Sequence, residues 1–171
     1  MDDADLIKIG NTTPIPFGLN NTFTYKNWDL NIYFYGSLNG WKRNELKEMS
    51  VAGITDITYG LNALSSVKER WSPGNPTGTL PSVDEGTSGT ATDSGDFFYE
   101  KAWYLRLDNL QLGYTIPRKI FNNKIANARV YGSIRNLFVI TPYKGMDPET
   151  GNGIGAYPNQ RSFVIGLNVK F

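Results

Sequence analysis

From Phe163 to Phe171 the chain alternates without a break: Phe163, Ile165, Leu167, Val169 and Phe171 are apolar, while Val164, Gly166, Asn168 and Lys170 between them are mostly small or polar. A period of two is the signature of a strand, which sends successive side chains to opposite faces. Four further segments read the same way. Phe17, Leu19, Phe23 and Tyr25 alternate with Gly18, Asn20, Thr22 and Thr24. After a tight connection at Lys26-Asn27, Leu30, Ile32 and Phe34 take one face, and Asn31, Tyr33 and Tyr35 the other. Between Trp103 and Tyr114 the phase slips at Asp108-Asn109, from Leu105 and Leu107 to Leu110, Leu112 and Tyr114, which predicts a β-bulge there. Val130, Ile134, Phe138 and Ile140 share a face opposite Tyr131, Ser133 and Arg135, with Asn136 interrupting the apolar row. The predicted strands are 17–26, 28–36, 103–116, 129–140 and 162–171.

The connections alternate as regularly as the strands. Short ones join the first strand to the second and the third to the fourth, the latter with a short helix expected at 118–124; long ones occupy 37–102 and 141–161. Within the longer loop, Ile57, Leu61, Leu64, Val67 and Trp71 lie at near-helical spacing, which predicts a helix over 54–71 with Thr55 or Asp56 as its cap and Gly60 as a mark against it. Residues 72–81 are rich in Pro and Gly, and 82–96 hold Ser, Thr, Gly and acids with no base, a solvated loop by composition. Strands of this length, short turns at one end and long loops at the other make the layout of an outer-membrane barrel. Five strands do not close one, because the smallest membrane barrels need about eight. The chain is therefore expected to be the last piece of something larger, or to assemble with other chains.

Composition narrows the chemistry. The 171 residues contain no Cys and no His, which excludes disulfides, zinc fingers, thiol nucleophiles, a Ser-His-Asp triad and imidazole metal ligands. The 17 basic and 16 acidic residues leave a net charge of +1, with no basic footprint for nucleic acid. Aromatic residues make up 13% beside 18 Gly, as suits β-structure with many turns. The start, Met1-Asp2-Asp3-Ala4-Asp5, is acidic where a secretory leader is basic and then apolar. Residues 147–153 offer oxygen ligands at short spacing but lack the spacing of an EF-hand, so a Gly-rich turn is expected rather than a calcium site. Carboxylate pairs such as Asp84 with Glu85, or Asp93 with Asp96, lie in polar sequence where nothing raises a pKa, so no catalytic residue, metal or cofactor is assigned and no enzyme is expected.

Several segments, taken in order, resemble SusC/RagA-type TonB-dependent outer-membrane transporters. They are Pro16-Phe17-Gly18-Leu19 after Ile9-Gly10-Asn11, Arg70-Trp71-Ser72-Pro73-Gly74-Asn75-Pro76, Trp103-Tyr104-Leu105-Arg106-Leu107 continuing to Leu112-Gly113-Tyr114, Arg129-Val130-Tyr131 with Arg135-Asn136-Leu137-Phe138, Tyr143 to Glu149, and Tyr157-Pro158 with Arg161-Ser162-Phe163. The resemblance implies an all-β fold: the last five or so antiparallel strands of a transmembrane barrel of about 22 strands, with 37–102 and 141–161 as extracellular loops and the turns periplasmic. The plug and TonB-contacting regions would lie outside this chain. The implied activity is import of oligosaccharides, or of peptides, across the outer membrane. The implied partners are the rest of the barrel and plug, lipid, the TonB complex and a SusD-like surface lipoprotein. By the same resemblance, Phe163, Ile165, Leu167, Val169 and Phe171 form a C-terminal signal for barrel assembly. Trp41, Trp71, Tyr143 and Tyr157 are the candidate loop contacts with substrate or partner, against girdle and packing roles for such aromatics. The competing expectation is a secreted all-β carbohydrate-binding module, in which Phe163, Ile165 and Leu167 are buried.

Overall fold

A computed structural model describes residues 13–58, 60, 62–82, 96–121, 125–150 and 156–171. These residues fall into two compact units, one of Thr13–Gly40, Trp103–Thr141 and Asn159–Phe171, the other containing Trp41–Ala102 and Pro142–Pro158.

The first unit is an antiparallel sheet of five strands: β1 (Pro16–Tyr25), β2 (Trp28–Ser37), β5 (Tyr104–Ile116), β6 (Asn127–Ile140) and β7 (Ser162–Lys170), in the order β1-β2-β5-β6-β7. Lys26 turns the chain from β1 into β2 at φ 52°, and Arg118–Phe121 form a 3-10 turn after β5. The rest of the short helix expected there lies outside the described residues. The bulge falls at Asp108: Leu107 and Asn109 face Phe34 and Tyr33 on β2, and the register on β6 shifts at the same place. On β6 the irregularity includes Asn136, in the left-handed region at φ 51°, which Asn adopts more readily than most other non-glycine residues.

Following the register across the sheet sorts the residues into two chemically opposite faces. Directly paired residues point the same way. One face carries the rungs Leu19–Phe34–Leu107–Phe138, Asn21–Ile32–Leu110–Ile134–Phe163, Phe23–Leu30–Leu112–Gly132–Ile165, Tyr25–Trp28–Tyr114–Val130–Leu167 and Ile116–Ala128–Val169. Asn21 is the one polar side chain in them. The other face carries Asn20–Tyr33–Asn109–Arg135–Ser162, Thr22–Asn31–Gln111–Ser133–Val164 and Thr24–Asp29–Gly113–Tyr131–Gly166.

The second unit holds β3 (Trp41–Arg43) paired with β4 (Tyr99–Lys101), the helix α1 (Glu45–Thr58) and a 3-10 turn at Ser65–Glu69. Its small core is Val51, Leu80 and Phe98. The helix lies earlier than the 54–71 expected from apolar spacing. Asn44 starts it: its Oδ1 accepts from the Lys47 N–H at 3.1 Å, and Glu45 and Glu48 sit in the first turn, where the helix dipole favours acids. Gly60 is at φ 75°, a left-handed conformation that glycine adopts readily, and beyond it Ser65–Glu69 wind as 3-10 instead. No described helix is long and apolar enough to cross a membrane, which leaves strands as the crossing elements if the chain spans one.

Candidate functional site

The apolar face of the sheet is open. Phe163, Ile165 and Leu167 are 69%, 88% and 61% exposed, with Val169 and Phe171 also exposed and Leu19, Phe23 and Phe138 continuing the patch. A carbohydrate-binding sandwich buries such a row. Lipid is the solvent in which this exposure costs nothing, since a patch spanning five strands far exceeds what a monomer leaves in water. The aromatic rung Tyr25–Trp28–Tyr114 closes one end, with the Trp28 and Tyr114 rings 4.7 Å apart and Lys26 Nζ 5.2 Å from the Tyr25 ring. Aromatics and long amines gather in this way at membrane interfaces. A 10-residue strand such as β1 rises about 34 Å, and a tilt of about 45° reduces that to about 24 Å, the height of an outer-membrane apolar band.

The polar face is cross-linked. Asn31 Nδ2 donates to Asn20 Oδ1 at 2.9 Å and to Thr22 Oγ1 at 3.0 Å, Asn109 Nδ2 donates to Asn31 Oδ1 at 3.1 Å, and Ser133 Oγ donates to Asn109 Oδ1 at 3.1 Å. This relay runs through β1, β2, β5 and β6. Arg129 on β6 grips Asp29 on β2 with Nε at 2.9 Å and Nη2 at 2.5 Å, a bidentate pair that passes over Gly113 of the intervening strand. Arg106, 2% exposed, donates to Asn136 Oδ1 at 2.5 Å, and Asn136 Nδ2 donates in turn to the Asn159 carbonyl at 2.5 Å. Beside this cluster lies a cavity of about 470 Å³. Sequence reading puts Asn31 and Ser133 each opposite the apolar row of its strand and Asn136 within such a row, and it does not find the Asp29–Arg129 pair, whose partners are 100 residues apart.

The loop unit places its four candidate aromatics differently from one another. Trp41 is half-buried in β3, and Trp71 is 48% exposed, with its backbone N–H donating to the Leu80 carbonyl at 2.9 Å. Tyr157 is 86% exposed. Tyr143 is buried, its hydroxyl donating to the Arg43 carbonyl at 2.9 Å and its ring 5.6 Å from Lys42 Nζ. The oxygens of the 147–150 turn do converge on a cation, but an internal one: Lys42 Nζ donates to the carbonyls of Asp147 at 3.0 Å, Pro148 at 3.2 Å and also Thr150. Asp147 folds the turn by accepting the Glu149 N–H at 2.8 Å. Burial lowers the Lys42 pKa, against the opposing pull of Asp147, Glu149 and Glu45. Residues 151–153 of that loop, and most of the acidic 82–96 stretch, lie outside the described residues.

Arg70, in the Arg-Trp-Ser-Pro-Gly-Asn-Pro segment, is a hub rather than a surface base. Its guanidinium donates to the carbonyls of Pro81 at 3.1 Å, Ser82 at 3.2 Å, Ser50 at 3.2 Å and Val51. Burial lowers its pKa. Arg70→Lys keeps the charge but loses the fork that reaches both the α1 and the 81–82 carbonyls. The variant is expected to lower the stability of this unit by about 2 kcal/mol, as some carbonyls lose their donors, and urea unfolding followed by Trp fluorescence measures it.

Burial also raises the Tyr143 pKa, with Glu100 and Glu45 adding to it. Below the ordinary tyrosine value the folded and unfolded chains both hold the proton. As pH rises through that value toward the raised folded one, the unfolded chain ionises first and stability falls. Tyr143→Phe is expected to cost about 1 kcal/mol at neutral pH, for the lost hydrogen bond, and to flatten the alkaline part of the profile. Unfolding midpoints of variant and parent from pH 8 upward check it; parallel profiles would contradict it.

Known proteins of one kind are similar to this chain. No family profile matches the chain. It is 31% identical over 182 residues to a TonB-dependent receptor of Formosa agariphila, covering 98% of this chain and 18% of the relative. It is 32% identical over 158 residues to the TonB-dependent receptor SusC of Bacteroides thetaiotaomicron, covering 90% of this chain and 15% of SusC. Among solved structures, the RagAB peptide importer in its open-open state matches with a TM-score of 0.71 and 30% identity, over 94% of this chain and 17% of that one. The RagAB peptide transporter matches with a TM-score of 0.67 and 29% identity over 92% of this chain. The chain thus spans less than a fifth of the length of these relatives. Alternating strands, an open apolar face and a cross-linked polar face agree with these similarities, and the chain belongs to the SusC/RagA type of TonB-dependent outer-membrane transporter.

Proposed function

We propose that this chain is barrel wall in an outer-membrane importer of oligosaccharides or peptides, powered through TonB and lidded by a SusD-like lipoprotein. The observation that carries the reading is the opposition of the two faces: apolar rungs with exposed side chains on all five strands on one side, hydrogen-bonded amides and a bidentate ion pair on the other. Such a wall turns its apolar rungs to lipid and its amides to an aqueous lumen. Both outer strands, β1 and β7, keep a free edge in this sheet, and a barrel pairs both. The row Phe163 to Phe171 serves as the assembly signal, with Phe171 at the periplasmic rim. The connections 37–102 and 141–161 face the cell exterior and meet the lipoprotein. SusC and the RagAB peptide importer are the similar proteins whose names motivate a glycan or a peptide cargo.

Deleting the gene that encodes the chain tests this, with growth measured on single purified polysaccharides and on protein as nutrient. The expected result is loss of growth on one polymer class, reproduced by deleting the TonB energiser, with the product recovered in the outer-membrane fraction. Unchanged growth on every nutrient, or a product found in the soluble fraction, would overturn it.

A further inference from the structure

The polar face holds a pair of near-parallel aromatic rings that wall-building does not require. Tyr33 and Tyr35, two residues apart on β2, have ring centroids 6.1 Å apart and planes only 23° apart. Their near-parallel setting has a cause in the neighbouring strand. Tyr33 lies over Gly18 of β1, its hydroxyl 3.2 Å from where a Cβ would stand, so no side chain props the ring away from the sheet. On the other flank, Tyr104 meets Tyr35 edge-on at 6.0 Å and 87°, which fixes its tilt.

The cavity of about 470 Å³ opens beside these rings. Its remaining lining is entirely polar, with Arg106, Arg135, Asn136 and Gln160 prominent and no aliphatic side chain. Arg106 is pinned to Asn136 at 2.5 Å, whereas the Arg135 side chain is 64% exposed and meets Asp108 only at 3.8 Å, leaving it free to swing. Aromatic rings bordered by guanidinium and amide groups suit a sugar ring, which has a face of C–H groups and a rim of hydroxyls. A peptide's apolar side chains would call for aliphatic pockets, and this cavity has no aliphatic side chain in its lining. We propose that Tyr33 and Tyr35 form a stacking platform for a pyranose ring, with Arg135 and Gln160 supplying hydrogen bonds at its rim. This deepens the transport reading, on which it rests, by assigning the wall a saccharide subsite.

The test uses the complete barrel that contains this chain, in detergent, labelled with 3-fluorotyrosine and titrated with maltohexaose, cellohexaose and hexaalanine. Tyr33→Phe and Tyr35→Phe assign the two fluorine resonances. Both are expected to shift with at least one hexasaccharide and with neither end of the hexaalanine titration. Gly18→Val, which lifts the Tyr33 ring, and Tyr35→Leu are each expected to weaken saccharide binding by about tenfold, while Tyr33→Phe, which keeps the ring, stays within about twofold. Heat-modifiable mobility on gels shows that each variant still assembles. A shift with hexaalanine alone, no shift with either saccharide, or undiminished binding by assembled Gly18→Val would overturn the platform. The outer-membrane location and growth phenotype would be untouched by that failure, so the two readings fail separately.

Discussion

Lysine in place of Ile165 is expected to destabilise the assembled barrel by about 2–4 kcal/mol, the cost of a cation near the middle of a lipid-facing strand. Ile165 shares its rung with Phe23, Leu30 and Leu112, between the rung ending at Phe163 and the aromatic rung ending at Leu167. It is 88% exposed, so little protein packing is lost and the penalty measures the surroundings of the face rather than a cavity. The neighbouring Val164, on the polar face opposite Ser133, is the internal control. Val164→Lys is expected to change stability by under about 1 kcal/mol, because an aqueous lumen solvates the amine. Urea unfolding in lipid vesicles gives both values. Equal effects at the two positions would remove the distinction between faces on which the account rests.

Gly113→Val is expected to cost about 2–3 kcal/mol through two groups it does not itself contain. A Cβ on Gly113 runs into Arg129 Nη2, Arg129 Nε and Asp29 Oδ1, so any side chain there pushes the bidentate pair apart. The pair ties β2 to β6 across β5, and its charge-assisted bonds at 2.5 and 2.9 Å are of the strong kind. Both side chains are partly solvated, at 22% and 30% exposed, which keeps the figure below that of a fully buried pair. A mutant cycle isolates the mechanism: in the Asp29→Asn, Arg129→Gln background the valine should cost less than half as much. An undiminished cost there would mean that the glycine is needed for the backbone alone.

The strands were legible because their information is local. Each carries its own period of two, and the phase slip at Asp108 gave the bulge away, since a bulge shifts the parity of every residue beyond it. The helix was misplaced for an equally local reason. Ile57, Leu61 and Leu64 mimic helical spacing, but the chain passes through left-handed Gly60 and a 3-10 turn there. The signal that marks the true start, Asn44 followed by Glu45 and Glu48, lies ahead of that apolar spacing and forms no part of it. What stayed illegible is non-local. Lys42 meets the Asp147 and Pro148 carbonyls over more than a hundred positions, and Asp29 finds Arg129 only once three strands are in register. Tyr143 shows the limit for the candidate contacts: its aromatic character was plain, its burial was not.

The central claim is that one face of this sheet meets lipid and the other meets water. The chain has no cysteine, so single cysteines placed in turn from Ser162 to Lys170 and labelled with a nitroxide report on each residue. Collision rates with oxygen, which partitions into lipid, and with a water-soluble nickel chelate are measured in the barrel reconstituted in vesicles. The account predicts opposite-phase oscillation of the two rates with a period of two, oxygen highest at Phe163, Ile165, Leu167 and Val169 and nickel highest at Val164, Gly166 and Asn168. Rates that do not alternate, or nickel access as high at Ile165 as at Gly166, would contradict it.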